Sequence, residues 1–247
     1  MCSTRQTIAN ERQTYCYDPT VATKWQSLAK GIYFTSCLTQ CTFLSHTTLL
    51  TAGTDGHAVV WPLSDGVSGS PTGTLEWQHP ARIHQNSSKT LASHVHSDGT
   101  RLIVSGGDDG TLAFLLVRYS ASDISSDGPG PYVSPPVVVN RAHGSAITAC
   151  TVVRFQSRLY VLTSGNDEWV RLWEVFINDT GHLTPDQSRS DKLSIQRISK
   201  VKTSVADVSS MAVLDSRKDI SRILVCGVGM EAIRLCPMPN EEEMASE

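Results

Sequence analysis

The sequence predicts an all-β fold built from about four consecutive units of four strands each, with almost no helix. Four segments repeat one pattern, in which a run rich in β-branched residues and leucine is followed by a glycine-containing turn and a second apolar run. The chain has 247 residues, of which 40% are hydrophobic, so it is long enough and apolar enough to bury a sizeable core. Charged residues make up 18% of the chain, below the average of about 25%.

The four repeats align on one turn position, occupied in chain order by Asp55, Asp109, Asp167 and Met230. In the first three repeats a hydroxyl residue stands four positions earlier: Thr51, Ser105 and Thr163. An indole stands six positions later in two of them: Trp61 and Trp173. The fourth repeat keeps the apolar pattern and the glycines.

A histidine precedes the turn in two repeats: His84 lies 25 residues before Asp109, and His143 lies 24 residues before Asp167. In the first repeat Lys30 and Gly31 stand where this histidine belongs. A buried aspartate must be paired, and a histidine, a hydroxyl and an indole N–H together can satisfy it.

We therefore predict a complete hydrogen-bonded network in the third repeat, formed by His143, Thr163, Asp167 and Trp173. We predict incomplete networks in the other two, formed by Thr51, Asp55 and Trp61 in the first repeat and by His84, Ser105 and Asp109 in the second.

The repeats are widely spaced, because successive turn positions lie 54, 58 and 63 residues apart. The excess lies in three segments rich in Gly, Pro, Ser or Asp, at residues 62–73, 120–131 and 178–192. Each follows the third strand of its unit, so we expect all three to emerge on the same face. Residues 1–30 are predicted to be a linker or half-blade, residues 31–236 the repeats, and residues 237–247 an acidic tail.

The motifs resemble those of the WD-repeat (WD40) family: Ala142-His143-Gly144, then Ser or Thr with Gly-x-Asp, then Trp173-Glu174 closing a strand. The resemblance implies a β-propeller of four-stranded blades, in which the four residues of the third repeat form the family's structural network. Rings of seven blades are usual, so it further implies that these four repeats are part of a longer multi-blade protein.

The last repeat narrows this resemblance. The last repeat contains an Asp-Val pair in residues 205–213 and a Gly-x-Gly-x-Glu motif in residues 225–235. In this pattern it is similar to the C-terminal propeller of the WD-repeat partners of tRNA wobble-position 2′-O-methyltransferases. This implies a non-catalytic subunit that binds a SAM-dependent tRNA methyltransferase and supports methylation at anticodon position 34. The alternative is a generic WD40 protein-interaction adaptor, for example in ubiquitin ligase recruitment or vesicle traffic.

Direct contact with tRNA requires a local basic patch, because the formal net charge is −3. The densest basic stretch contains Arg197, Lys200 and Lys202, which we take as the candidate RNA contact, against the simpler interpretation of a solvated edge.

The sequence contains only weak indications of a metal, catalytic or cofactor site. His94 and His96 share one face of a predicted strand but have no evident third metal ligand, and Cys37 and Cys41 have no second cysteine pair. Residues 106–110 are in register with the other turns, and residues 227–229 lack the full dinucleotide-binding glycine pattern. We therefore expect no catalytic residues, metal, cofactor or small-molecule substrate.

The seven cysteines are an odd number and are scattered along the chain, which favours a reduced compartment over a disulfide framework. Met1 is followed by polar residues, and no apolar run is long enough to span a membrane. We expect a cytoplasmic protein without a membrane partner.

Overall fold

A computed structural model describes residues 29–33, 36–45, 47–63, 73–75, 78–118, 131–155, 157–178, 192–216 and 221–235. These residues form seventeen β-strands, and none of them lies in a helix. The prediction of an all-β fold is confirmed. Residues 1–28 and 236–247 lie outside the described part, and so do the acidic tail and nearly all of the linker or half-blade predicted for the two ends.

Four antiparallel sheets follow one another along the chain and are called blades 1 to 4. Blade 1 consists of β2 (Leu38–Ser45), β3 (Thr48–Gly53), β4 (His57–Pro62) and β6 (Gln78–Arg82). Blade 2 consists of β7 (Ser88–Val95), β8 (Arg101–Gly107), β9 (Leu112–Arg118) and β10 (Tyr132–Val133), with β11 (Val137–Val139) also paired to β9.

Blade 3 consists of β12 (Ile147–Phe155), β13 (Arg158–Gly165), β14 (Trp169–Asn178) and β15 (Lys192–Lys202). Blade 4 contains two described strands, β16 (Ala206–Ser216) and β17 (Ser221–Leu235). A separate short parallel pair is formed by β1 (Ala29–Gly31) and β5 (Gly73–Leu75).

Tight turns join the second and third strands of blades 1 to 3 because an aspartate stabilises each one. The Asp55, Asp109 and Asp167 carboxylates each accept a hydrogen bond from the backbone N–H two residues later, at 3.1, 3.0 and 3.2 Å respectively. Aspartate side chains commonly form turns in this way. The predicted turn positions in these three repeats therefore have a direct physical cause.

The fourth repeat differs from the prediction of a turn at Met230. Residues from Ser221 to Leu235 form one 15-residue strand, β17, with no break at Met230. A thioether cannot accept a backbone N–H as a carboxylate does, so the interaction that stabilises the other three turns is lost here. Gly229, with a φ of 103°, is the irregular point directly before Met230.

The described residues form four hydrophobic clusters, of which three lie between adjacent blades and the fourth, Tyr33, Val59 and Trp61, lies at blade 1. Leu50 and Ile103 belong to the cluster between blades 1 and 2, Phe114 and Trp173 to that between blades 2 and 3, and Leu172 and Ile223 to that between blades 3 and 4. Side chains alternate along each strand, so one strand serves two clusters: Ile103 packs toward blade 1, and its neighbour Val104 toward blade 3. Burying each such side chain contributes about 1.5–3 kcal/mol.

The strand pairing defines two opposite edges of the blades. Thr48 pairs with Pro62, Arg101 with Val117 and Leu159 with Val175, which brings the first turn of each blade and the end of its third strand to one edge. We call this the insertion edge, because the three predicted insertions begin there. Residues 64–72, 119–130 and 179–191 of those insertions lie outside the described residues. The Asp turns lie at the opposite edge, called the turn edge.

Candidate functional site

The four network residues predicted in the third repeat lie together at the turn edge of blade 3. His143 Nδ1 is 2.9 Å from Asp167 Oδ1, and His143 Nε2 is 2.8 Å from Thr163 Oγ1. The Trp173 indole nitrogen is 2.8 Å from the same Thr163 oxygen. The strands explain this convergence, because Thr163 lies in β13 and Trp173 in the adjacent β14, while His143 lies in the loop before β12.

The direction of these hydrogen bonds follows from the donors available. Trp173 can only donate, so Thr163 Oγ1 accepts from it and donates its own hydrogen to His143 Nε2. An ionised carboxylate can only accept, so His143 Nδ1–H donates to Asp167. Burial lowers the pKa of His143 below its usual 6.5, and the attraction of Asp167 only partly offsets this. The imidazole is therefore neutral in the folded protein.

Asp167 has further partners that hold it ionised. Its Oδ2 accepts from the Gly144 backbone N–H and from the Arg171 guanidinium, both at 3.1 Å. Arg171 also donates to the Ala142 carbonyl oxygen. Burial raises the pKa of Asp167, but the hydrogen bonds from His143 and Gly144 outweigh it, so the pKa lies below the usual 3.8. The cluster thus ties the loop before β12 to the turn after β13.

In blade 2 the network contains two residues that the sequence analysis missed. The Thr111 hydroxyl lies 2.8 Å from His84 Nδ1 and 2.6 Å from Asp109 Oδ1, so it stands between them. His84 Nε2 is 2.8 Å from Ser105 Oγ, which is in turn 2.8 Å from Ser88 Oγ. The Ser88 hydroxyl, on the first strand of blade 2, therefore makes to Ser105 the contact that the indole on the third strand of blade 3 makes to Thr163. The prediction named His84, Ser105 and Asp109 but neither of these additional hydroxyls.

In blade 1 the tyrosine Tyr33 takes the role of the histidine that is missing at Lys30 and Gly31. The Tyr33 side chain is 5% exposed, and burial together with a hydrogen bond to Asp55 raises the pKa of its hydroxyl. The Trp61 indole donates to Thr51 Oγ1 at 2.8 Å. Gly31 packs so closely on Trp61 that a Cβ at this position would stand 2.5 Å from the indole ring.

Blade 4 has a corresponding contact built from other residue types. Glu231 Oε2 accepts from the Thr203 hydroxyl at 2.6 Å and from the Ser204 backbone N–H at 2.9 Å. Asp167 binds the Gly144 N–H, and Asp109 binds the Gln85 N–H, in the same manner. Thr203 and Ser204 thus correspond to the histidine and the residue that follows it in blades 2 and 3. A glutamate next to the turn position was the available signal.

The candidate RNA-contact residues lie on β15, the outer strand of blade 3, and all three are exposed. The Lys200 ammonium stands 4.4 Å from the centre of the Trp169 ring, and Lys202 Nζ is 3.4 Å from Glu168 Oε2. Arg197 pairs across the sheet with Trp173. The three cations therefore share one strand and face solvent, with two of them in contact with neighbouring side chains.

The metal-ligand pairs weighed in the sequence lie apart from any larger ligand set in the described part. His94 lies in β7, and His96 follows that strand and contacts Asp98 at 3.2 Å. Cys37 and Cys41 are both exposed. Among the described residues no group of three or more His, Cys, Asp or Glu side chains is placed to hold a metal ion. The same residues contain no helix long and apolar enough to cross a membrane.

One groove lies at the insertion edge where blades 2 and 3 meet. This open groove has a volume of about 220 Å³. It is lined by His96, by Ser157 in the turn before β13, by Arg158 and Leu159 at the start of β13, and by residues 174–177 of β14. Arg158 donates to Glu174 at 3.1 Å, and the Glu174 side chain is 7% exposed. Phe176 is 41% exposed, although its neighbour Val175 is buried.

No family model and no curated protein match the sequence. Among solved structures, the chain is similar to the computationally designed Ika4 protein, with a TM-score of 0.51 and 18% identity over 86% of this chain and 99% of Ika4. It is also similar to the designed Ika8 protein, with a TM-score of 0.51 and 19% identity over 84% of this chain and 49% of Ika8. The match to the RRP9 WD40 repeats has a TM-score of 0.45 and 13% identity, over 82% of this chain and 52% of that one.

At sequence identities of 13–19%, the similarity to these solved structures concerns the fold alone. Four antiparallel sheets in series, Asp turns in three of them and the His143–Thr163–Asp167–Trp173 network are the architecture of a WD40-type β-propeller. The chain therefore has a WD40-type propeller fold of about four blades.

Proposed function

We propose that this chain is a non-catalytic propeller scaffold that binds a tRNA 2′-O-methyltransferase and supports methylation at anticodon position 34. The scaffold role is supported by one observation, namely that the conspicuous polar residues of the blades are engaged in structural hydrogen bonds. His84, His143, Asp109 and Asp167 are all engaged in hydrogen bonds that join loops to strands. These residues stabilise the propeller, so we assign binding to its surface.

Blade 4 offers the best surface for a protein partner. Val228 and Met230 lie two residues apart on β17 and are 70% and 74% exposed, whereas Leu214, 51% exposed, lies toward the other end of the blade, where Val213 pairs with Ile223. Exposed apolar side chains close together in one blade are typical of protein interaction sites. β16 and β17 also contain the segments whose sequence resembles the WD-repeat partners of tRNA wobble-position methyltransferases. We therefore propose that the methyltransferase docks on blade 4.

The tRNA would contact β15 of the neighbouring blade 3. Arg197, Lys200 and Lys202 point into solvent from this strand. Exposed ion pairs such as Lys202–Glu168 contribute little free energy, so these side chains remain available to phosphate oxygens. A protein surface and an RNA surface on adjacent blades would hold the anticodon loop against an active site in the partner. A cytoplasmic location stays a prediction.

A generic WD40 adaptor is the second candidate, because the apolar surface of blade 4 would serve another protein partner equally well. The two candidates predict different partners. The test is affinity capture with the full-length chain, followed by identification of the bound proteins. We expect a SAM-dependent tRNA methyltransferase, whose capture is lost in the Val228→Ser, Met230→Ser double variant.

Val95→Ser is the matched control, because Val95 is 49% exposed but lies in blade 2. Calorimetric titration of the isolated chain with SAM should give no binding. Capture of ubiquitin ligase or vesicle coat subunits without a methyltransferase would support the adaptor instead. Micromolar SAM binding by this chain would contradict the scaffold role.

A further inference from the structure

The four blades form an open row in the described part of the chain. Their first strands, β2, β7, β12 and β16, lie side by side in this order. Three hydrophobic clusters join blade 1 to 2, blade 2 to 3 and blade 3 to 4, and no cluster of the described residues joins blade 4 to blade 1. Each end of the row therefore keeps one sheet face, called an end face, that has no neighbouring blade among these residues.

The blade 1 end face lies on the side of the sheet opposite the cluster shared with blade 2. Phe43 pairs across the sheet with Leu49, and Leu49 with Trp61, so these three side chains form one row on this side. Trp61 is covered from within the blade, by Tyr33 and by Gly31. Phe43 is 44% exposed, and Leu49 is only partly buried. The part of this face near the first strand is therefore apolar and open.

The same positions are buried in the interior blades. Ile103 and Val161 stand six residues before their turn aspartates, as Leu49 does. Both are 0% exposed, because the preceding blade packs on them. The blade 1 end face thus has the apolar character of a blade-to-blade interface, but the described residues contain no blade that buries it.

The blade 4 end face is the other half of such an interface. Ile223 and Val225 point toward blade 3 and are fully buried, so the alternation along β17 turns Leu224 and Cys226 to the opposite side. Ala212 pairs with Leu224 and lies on the same side. Leu224 and Cys226 are only partly buried, and Ala212 is exposed. On blades 1 to 3 this is the side that packs on the next blade.

A second copy of the chain would supply at each end the face that the first copy lacks. Its blade 4 would cover Phe43, and its blade 1 would cover Leu224. The sizes of the side chains also match. Phe43 is larger than Ser93 and Val152, which hold its place in blades 2 and 3, and it would meet the small Ala212.

We infer that two copies of this chain assemble head to tail into one closed ring, with blade 4 of each copy packed on blade 1 of the other. Two rows of four make about eight blades, within the known range of about 4–8, and a two-fold axis closes both ends at once. The chain matches 99% of Ika4 and 49% of Ika8 with the same TM-score, so its row of blades fits half of a longer propeller chain as well as a whole one. The inference requires neither RNA nor a methyltransferase.

The experiment is sedimentation equilibrium of the full-length chain, for which we expect about twice the 26.9 kDa of one copy. Phe43→Arg and Ala212→Glu each place a charge on one end face, at a residue that is exposed in the single chain. Each should raise the dissociation constant of the dimer at least about tenfold. An equimolar mixture of the two variants should form the dimer again, because one junction then pairs the two opposite charges and the other junction is unmodified.

The matched control is Phe176→Arg, since Phe176 is 41% exposed but lies in blade 3, away from both end faces. It should leave the dimer intact, and thermal melting followed by circular dichroism should show that all three variants are folded. A monomeric unmodified chain would overturn the inference, and so would equal dissociation in the control. A mixture that stays monomeric would contradict head-to-tail packing, and open polymers in place of a dimer would contradict the closed ring.

Discussion

The Thr203 hydroxyl donates a 2.6 Å hydrogen bond to Oε2 of Glu231, and this pair holds in blade 4 the place that His143 and Asp167 hold in blade 3. In both blades a carboxylate also binds the backbone N–H of the next loop residue, Ser204 or Gly144. Blade 4 therefore keeps the loop-to-strand connection of the propeller after losing both the histidine and the aspartate. The loop-to-strand connection therefore depends on a carboxylate that reaches the loop before the blade, and the position of that residue in the sequence can differ between blades.

Replacing Glu231 by Ala should destabilise the protein by about 1 kcal/mol, because the Thr203 hydroxyl and the Ser204 N–H lose their acceptor in a partly exposed site. Glu231→Gln should cost less, since the amide oxygen still accepts. Urea unfolding of the two variants gives both values. Equal losses for Ala and Gln would show that charge, rather than hydrogen-bond acceptance, carries the effect.

Asp167→Ala should cost on the order of 1–3 kcal/mol, because His143 Nδ1–H and the Gly144 N–H would lose their acceptor. Asp55→Ala should cost less, because Asp55 is bonded to the Tyr33 hydroxyl in place of a histidine, whereas Asp167 binds the Gly144 N–H and the Arg171 guanidinium in addition to His143. Thermal melting of the two single variants compares them directly. Equal shifts in Tm would contradict the assignment of the complete network to blade 3.

Thr111→Val tests the additional hydroxyl in blade 2. Valine keeps the shape of threonine but removes the hydroxyl that bonds both His84 Nδ1 and Asp109, which leaves the buried imidazole nitrogen only its longer, 3.4 Å contact with Asp109 Oδ1. We expect a loss of about 1–3 kcal/mol in the free energy of unfolding. The control is Thr100→Val, which removes a hydroxyl bonded to Asp98; it should cost less, because the Asp98 side chain is 31% exposed and can turn to water, whereas that of Asp109 is 9% exposed. A neutral Thr111→Val variant would show that the direct 3.4 Å contact between His84 and Asp109 is sufficient without the hydroxyl.

The stability should fall as the pH falls below about 6.5. Burial lowers the pKa of both His84 and His143, so below 6.5 the unfolded chain binds more protons than the folded chain. Their contribution is fully present above pH 6.5 and is lost progressively toward the lower folded pKa values. The pKa values of Asp109 and Asp167 lie below 3.8, so their contribution is lost only at still lower pH.

Urea unfolding between pH 7.5 and 5 checks this dependence. The His143→Asn variant cannot titrate in this range and should show a shallower slope of unfolding free energy against pH. A slope equal to that of the unmodified chain would show that His143 is protonated to the same extent in both states.

The Asp turns and the third network could be predicted because each depends on a residue type at a fixed spacing. An aspartate stabilises its own turn through the N–H two residues later, and this local geometry is visible in the sequence at Asp55, Asp109 and Asp167. At Met230 the structure has the continuous strand β17 instead of the predicted turn, because the methionine thioether is a much weaker hydrogen-bond acceptor than the aspartate carboxylate.

The substitute partners could not be predicted, because they act through space rather than at a fixed spacing. Tyr33 reaches Asp55 from a different loop position than histidine would, and Ser88 reaches Ser105 from the neighbouring strand β7. A hydroxyl is common in strands and turns, so its presence alone does not distinguish a network member from a surface residue. Thr111, two positions after Asp109, offered the clearest local signal.

The most direct test of the central claim is a methyl-transfer assay at tRNA position 34 with purified components. The proposal predicts no methylation by this chain alone, weak methylation by the methyltransferase alone, and a clear increase when both are present. Neutralising Arg197, Lys200 and Lys202 together should reduce that increase without affecting methyltransferase binding. Methylation by this chain alone, or an unchanged rate when it is added, would contradict the account.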